Sequence, residues 1–296
     1  MINLNQQAFL LDLKLGQLTL SRKVASTMVE TDADPALLRI SKKILDCPEM
    51  QAIKAHQRHI RGMIETLRLP TGDMFRPGMY LMPYSLLERT EDYLSKANEE
   101  MKGLIDTFLD VYTITIEQDK LALRSLFNEA DYPPPTKIRT AFQMAYSYQT
   151  VATPESLKTF RFDIFKREEE KMRRMWEEAA AESQGALRQQ ALELARHAVE
   201  KLTPGEDGKP KTFKESMLGN WNEFIDLFQH KNITADSDLE GILNKVRNAI
   251  AGRKCSDIRS DASVAAEIKT LFEGVVGQLD GMVVARPTRR MNLEEE

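Results

Sequence analysis

The sequence predicts a mainly α protein: long antiparallel coiled-coil-like helices and a smaller helical bundle, with one minor β-hairpin or strand pair near the N-terminus. Three observations carry this prediction. Two long charged segments, Tyr84–Glu129 and Thr153–Leu202, hold an apolar seam at three- and four-residue spacing. Proline and capping residues cut much of the remaining chain into helix-sized pieces. Near the N-terminus the period drops to two: in FLLDLKLGQLTL (9–20), Leu11, Leu13 and Leu15 alternate with Asp12 and Lys14 before Gly16 shifts the phase.

A lone strand needs a partner. The candidate is TFRFDIF (159–165), where Phe160, Phe162 and Ile164 alternate with Arg161 and Asp163; the same residues also read as the first turns of the second long helix. Asp34 followed by Pro35 reads as the N-cap and first position of a helix running through Ile40, Ile44 and Leu45 to about Cys47. Pro48 opens the next helix, about Glu49–Leu69, with Ile53, Ile60, Met63, Ile64 and Leu67 on one side, and the two are expected to form a helical hairpin. PTGDMFRPGMYLMP (70–83) follows, with three prolines and two glycines. A loop carrying Met74, Phe75, Met79, Tyr80, Leu81 and Met82 has to be covered, by its own helix ends or by a docking partner.

Along the first long helix the seam is Leu87, Leu94, Ala97, Met101, Leu104, Phe108, Val111 and Thr115, and Pro133-Pro134-Pro135 stops it. KIRTAFQMAYSYQT (137–150) reads as a short helix with Ile138, Phe142, Ala145 and Tyr146 inward. Thr153-Pro154-Glu155 caps the second long helix, whose stripe of Met172, Trp176, Ala180, Ser183, Leu187, Ala191, Leu194, Ala198 and Leu202 is rich in small residues that permit close approach. TPGEDGKPK (203–211) reads as a linker, separating a long-helix region (1–202) from a C-terminal helical region (212–285) and a tail (286–296). Thr212-Phe213-Lys214-Glu215 matches a capping box and opens a helix with Met217, Trp221, Phe224, Ile225 and Phe228. Helices over about Ser237–Ala251 and Ser260–Asp280 complete the set.

Composition narrows the function classes. In 296 residues, 42% hydrophobic and 29% charged side chains suit a folded helical chain rather than a disordered one. Lys plus Arg (41) against Asp plus Glu (45) gives a net charge of −4, which excludes a global positive field for nucleic acid or anionic membrane. Cys47 and Cys255 lie far apart with no CxxC spacing, as free thiols in a reducing compartment would. Met1–Leu20 lacks a basic leader followed by an apolar run, and no stretch approaches the roughly 18 consecutive apolar residues that span a bilayer. A cytoplasmic location is therefore expected.

No HExxH, phosphate-binding glycine loop or nucleophile elbow is legible, so neither catalysis nor a cofactor or metal is expected. His56 and His59, three apart and followed by Glu65, could share an ion but fall short of a full ligand set. Candidate partner-binding residues are Met79, Tyr80 and Met82 in the apolar loop and Arg286, Arg289, Arg290 and Met291 in the tail. A basic helical face of Arg39, Lys42, Lys43, Lys54, Arg58 and Arg61 offers the alternative, a nucleic-acid-binding accessory. A second basic run, Lys166, Arg167, Lys171, Arg173 and Arg174, is diluted by Glu168–Glu170. The leading expectation is a non-enzymatic helical adaptor or scaffold that binds a protein partner or a second copy of itself.

Five phrases taken together, LDLKLGQLTL (11–20), ISKKILDCPEM (40–50), GMYLMP (78–83), NEADYPP (128–134) and CSDIRSDASVAAEI (255–268), resemble a domain-of-unknown-function family of helical phage and bacterial proteins. The likeness covers most of the chain through loosely defined motifs. Members of that family are often encoded near a MoxR-like or CobS-like AAA+ ATPase and a von Willebrand factor A type protein. The resemblance implies a third, non-enzymatic component beside a remodelling motor, with the AAA+ ATPase as a partner. The family has no assigned catalytic residues, and none is carried over.

Overall fold

The computed structural model describes residues 7–25, 28–29, 32–34, 37–72, 74–150, 152–204 and 213–283. In chain order these form β1 (Ala8–Leu15), β2 (Ser21–Val24), β3 (Ile40–Lys43), α1 (Pro48–Leu67), β4 (Met79–Pro83), α2 (Leu87–Leu123), α3 (Pro135–Ala141) and β5 (Met144–Gln149). Then come α4 (Ser156–Phe160), α5 (Phe162–Leu202), α6 (Glu215–Lys231), α7 (Ser237–Ile250), α8 (Cys255–Ser260) and α9 (Ala262–Asp280). The fold is mainly α with a small antiparallel sheet, as the sequence predicts.

β1 is the centre of a three-stranded antiparallel sheet in the order β4-β1-β5, with Leu11 opposite Tyr80 on one side and Tyr148 on the other. Its side chains are buried on both faces. Phe9, Leu11 and Leu13 enter the core built by α1, α2 and α3, while Ala8 and Leu10 pack with Leu69, Leu81, Trp176, Ala179 and Ala180. That double burial explains the near-continuous apolar start of the strand. Two glycines permit the tight packing at its end. A Cβ on Gly16 would lie 2.2 Å from the Ala141 carbonyl oxygen. Gly78, at φ +88°, accepts a hydrogen bond from the Leu13 amide at 2.8 Å.

The partners of β1 differ from the expected one. Residues 159–165 are helical, split between α4 and α5 at Arg161 (φ −151°, ψ 88°). Phe160 and Phe162 are largely exposed, so their alternation buries no face against a sheet. The strands come instead from the segment read as an apolar loop and from the second half of the segment read as a short helix. A second correction concerns 34–47, expected to be helical. There β3 pairs antiparallel with β2, Ile40 opposite Val24, and Leu45 turns at φ 55° with its amide donating to Asp119 Oδ2 at 2.7 Å. The helical hairpin is therefore made by α1 with α2, not with a preceding helix.

α1 and α2 run antiparallel, joining Met50, Ile53, Ile60, Ile64 and Leu67 to Leu94, Ala97, Met101, Ile105 and Phe108. The two long helices do not lie along one another. Each takes a shorter antiparallel partner, α1 for α2 and α9 for α5. The N-terminal part of α5 covers the second face of the sheet with Trp176, Ala179 and Ala180. Its C-terminal part, Leu187, Ala191, Leu192, Ala195 and Ala198, belongs to the core of α6–α9, where Trp221 stacks on Phe272 with ring centroids 5.3 Å apart. The Ala-rich stripe is what lets α9 come close.

Two buried polar contacts fix the joints. Arg188 on α5 grips Asp236 with two hydrogen bonds of 2.7 and 3.0 Å, and Asp236 also caps α7 by accepting from the Leu239 amide. Lys231, buried at the end of α6, donates to the Thr66 carbonyl near the end of α1 at 2.5 Å. Burial chiefly, and the nearby Arg68 charge, push the Lys231 ammonium down to about 8 against the opposing pull of Glu223. Residues 205–211 of the expected linker lie outside the described residues. Among the described residues, no helix is long and apolar enough to cross a membrane.

Candidate functional site

A cleft of about 900 Å³ opens where β1 ends, beside the last turns of α1 and the loop leading into β4. Leu13–Gly16 forms one wall and Arg61, Glu65 and Arg68 another; Thr71, Gly72 and Met74–Tyr80 complete it. The walls follow from local structure. Gly78 sits so close to β1 that a Cβ there would meet the Leu13 carbonyl oxygen at 2.9 Å, and Gly72, at φ +58°, lies against Glu182 of α5. Because residues 61 and 65 are four apart on α1, their side chains share one face, and Arg68 follows as the extended residue that ends the helix.

The cleft is cationic over an apolar floor. Lys14, Arg61, Arg68 and Arg76 line it together with Leu13, Leu15, Met74, Phe75 and Met79, and Glu65 is the carboxylate among the described lining residues. Arg76 binds the buried Asp12 carboxylate at 2.7 Å, and Lys14 approaches it at 3.5 Å. Arg68 pairs with Glu65 through Nε. Arg61 has no hydrogen-bond or ion-pair partner among the described residues. The Tyr80 hydroxyl is pushed above its ordinary pKa, by burial first and by Glu65 second, while Arg61 and Arg68 oppose the rise. Such an arrangement can accept carboxylate groups on planar guanidinium forks and an apolar side chain on the floor.

The structure brings together residues that the sequence assigned to two separate candidate sites. Met79 and Tyr80 of the partner-binding loop and Arg61 of the basic face line the same cleft. Met82 does not: it is fully buried opposite Phe9 in β4, so it stabilises the core and is closed to a partner. The basic face is also broken. Lys42 is buried, its ammonium 2.6 Å from Asp131 and 2.5 Å from the Leu126 carbonyl; Lys43 ends β3 and Arg39 immediately precedes it, so neither lies on a helix. Lys54, Arg58 and Arg61 remain as one stripe on α1, with only Arg61 reaching the cleft. Arg286, Arg289, Arg290 and Met291 lie outside the described residues.

His56 joins α1 to α2, its Nε2 donating to the Ala97 carbonyl at 2.9 Å with Nδ1 3.8 Å from Glu100. His59 packs edge-on to Tyr93, and Glu65 is committed to Arg68, so the three do not converge. Both cysteines are buried and free, and burial first of all pushes their thiols up, Cys255 to about 11. Sequence reasoning missed Lys14, Arg68 and Arg76. The available signal was the alternation of Lys14 against the inward leucines and the placement of Arg76 between Phe75 and Pro77 in an otherwise apolar loop. Comparison with protein-family models, with curated proteins and with solved structures finds no match.

Proposed function

We propose that this chain is a non-enzymatic helical adaptor that binds a protein partner in the cleft between β1, α1 and the loop before β4. The supporting observation is that Lys14, Arg61, Arg68 and Arg76 line one cleft together with Met79 and Tyr80. An extended acidic segment bearing one apolar anchor matches that surface: the anchor is desolvated on the floor while flanking carboxylates meet guanidinium groups. The resemblance to a phage and bacterial family directs the partner search to a MoxR-like AAA+ ATPase system.

The test is a calorimetric titration of the chain with such an ATPase and with a synthetic Glu-rich peptide containing a single Phe. Arg61→Glu, which disturbs no internal pair among the described residues, is expected to weaken binding by about tenfold, equivalent to about 1.4 kcal/mol. Raising the salt concentration is expected to weaken binding further. Binding indifferent to the Arg61 reversal, or equal affinity for single-stranded DNA, overturns the proposal.

A further inference from the structure

The sheet has one edge that is engaged and one that is open. On the outer side of β4, the Leu81 carbonyl accepts from the Leu69 amide at 2.8 Å, and Pro83 ends the strand without a donor. β5 is different. The Gly16 amide donates to the Gln143 carbonyl at 3.0 Å, which sets the parity of the ladder. In an antiparallel pair hydrogen-bonded positions alternate, so Lys14–Ala145, Asp12–Ser147 and Leu10–Gln149 exchange bonds across the strands. Met144, Tyr146 and Tyr148 therefore turn their backbone groups away from β1. The opposite side of β1 agrees: the Leu13 amide, level with Tyr146, points to β4 and donates to Gly78. Among the described residues nothing answers the outward groups of Met144, Tyr146 and Tyr148.

Soluble proteins usually blunt such an edge with charge, proline or a bulge. Met-Ala-Tyr-Ser-Tyr-Gln contains none of these. The strand is also held straight and in place. The Tyr146 and Tyr148 hydroxyls both donate to Glu91 of α2, Tyr146 at 3.0 Å, and Tyr148 meets Phe9 edge-on at 5.4 Å. Ala145, Ser147 and Gln149 face the solvent as small or neutral side chains.

These features match one occupant, a second copy of the same strand. Two copies of β5 laid antiparallel about Tyr146 place Tyr146 opposite Tyr146, Met144 opposite Tyr148, and Ala145 opposite Ser147. Every outward backbone group then finds its counterpart, and no like charges meet. We propose that β5 is a self-docking edge through which two copies of this chain fuse their sheets into one continuous antiparallel sheet about a twofold axis at Tyr146. The isologous geometry closes on itself, so the product is a dimer and not a fibre.

Sedimentation equilibrium tests this directly. The 33.8 kDa chain is expected to sediment at twice its mass. Ala145→Lys combined with Ser147→Lys places lysine opposite lysine and is expected to give monomers. Ala145→Lys combined with Ser147→Glu places lysine opposite glutamate at both twofold-related positions and is expected to restore the dimer. Hydrogen exchange on the unmodified chain supplies a readout independent of variant folding: the Tyr146 and Tyr148 amides should slow as protein concentration rises. A monomeric wild-type chain, a dimer unaffected by the lysine pair, failure of the lysine–glutamate variant to re-form it, or exchange at these amides that ignores concentration each overturns the proposal. So does protection of those amides only on addition of a foreign peptide, which would assign the edge to another strand.

Discussion

The helical bundle of α6–α9 and the sheet layer around β1 bury similar sets of side chains, but they reach burial by different routes. In the bundle each helix is amphipathic and neighbours in sequence pack together, α6 with α7 and α8 with α9, while the most extensive contact joins the distant α5 and α9. In the N-terminal half β1 collects β4 and β5 from far along the chain, and α1 and α2 close over the result. Local periodicity is enough to specify the helices of the first arrangement. The second requires pairings whose loop-closure entropy is spent before any contact forms, so it should be the slower half to assemble.

The sharpest way to probe this contrast is to empty one core at a time. Phe108→Ala in the first core and Trp221→Ala in the second each remove a fully buried ring and are expected to cost about 3–5 kcal/mol in urea unfolding. If the halves are independent, amide exchange in the untouched half stays slow; if α5 couples them, both halves exchange faster in either variant. Arg188→Ala attacks the joint between α5 and α7 and is expected to cost about 3–5 kcal/mol, since it leaves the Asp236 carboxylate buried without its cation. Burial tends to raise the Asp236 pKa, but Arg188, the Leu239 amide and Gln184 outweigh it and hold the group below its ordinary range. A depressed carboxylate stabilises the fold above its unfolded pKa, near 3.9, and that contribution is lost as pH falls through the folded value. The acid limb of a stability–pH curve should therefore flatten in Arg188→Ala.

Lys231 probes the contact between the halves from the alkaline side. Its folded pKa of about 8 lies below the roughly 10.4 of an unfolded lysine, so the unfolded chain holds the proton more tightly. Stability attributable to this group should rise by about 3 kcal/mol as pH climbs between those values, and Lys231→Met should abolish the rise in chemical denaturation. Gly16→Ala is confined to the sheet layer. The new methyl would collide with the Ala141 carbonyl, at a cost of about 1–3 kcal/mol with the bundle's exchange unchanged. At the small end, Arg173→Ala removes exposed pairs with Glu170 and Glu177 and should leave the thermal midpoint where it is.

The contrast also explains what was legible in the sequence. α1, α2, α5, α6, α7 and α9 could be read because each repeats its apolar spacing through several turns, and β1 because Leu11, Leu13 and Leu15 alternate cleanly. β4 and β5 could not be read as strands. MYLMP is too short for a period, and in MAYSYQ the residues Ala145 and Tyr146 continue the three- and four-residue spacing that α3 begins at Ile138 and Phe142. The decisive signal there was the alternation of Met144, Tyr146 and Tyr148 with Ala145 and Ser147. Conversely, TFRFDIF alternates more cleanly than either strand yet is helical, with Phe160 and Phe162 left largely exposed. The candidate site was half legible: the Met79–Tyr80 segment and Arg61 were singled out, but only the fold shows that they line the same cleft as Lys14, Arg68 and Arg76.

α5 is a single unbroken rod of 41 residues, about 60 Å long at 1.5 Å per residue, with one end laid on the sheet and the other sunk in the bundle. It passes from one core to the other between Ala180 and Leu187, and Gly185 stands in that span with nothing within 4 Å of where its Cβ would be. A traction applied to the bundle is thus carried straight to the sheet, and Gly185, the glycine of the rod, weakens the helix there by about 0.5–1 kcal/mol relative to alanine.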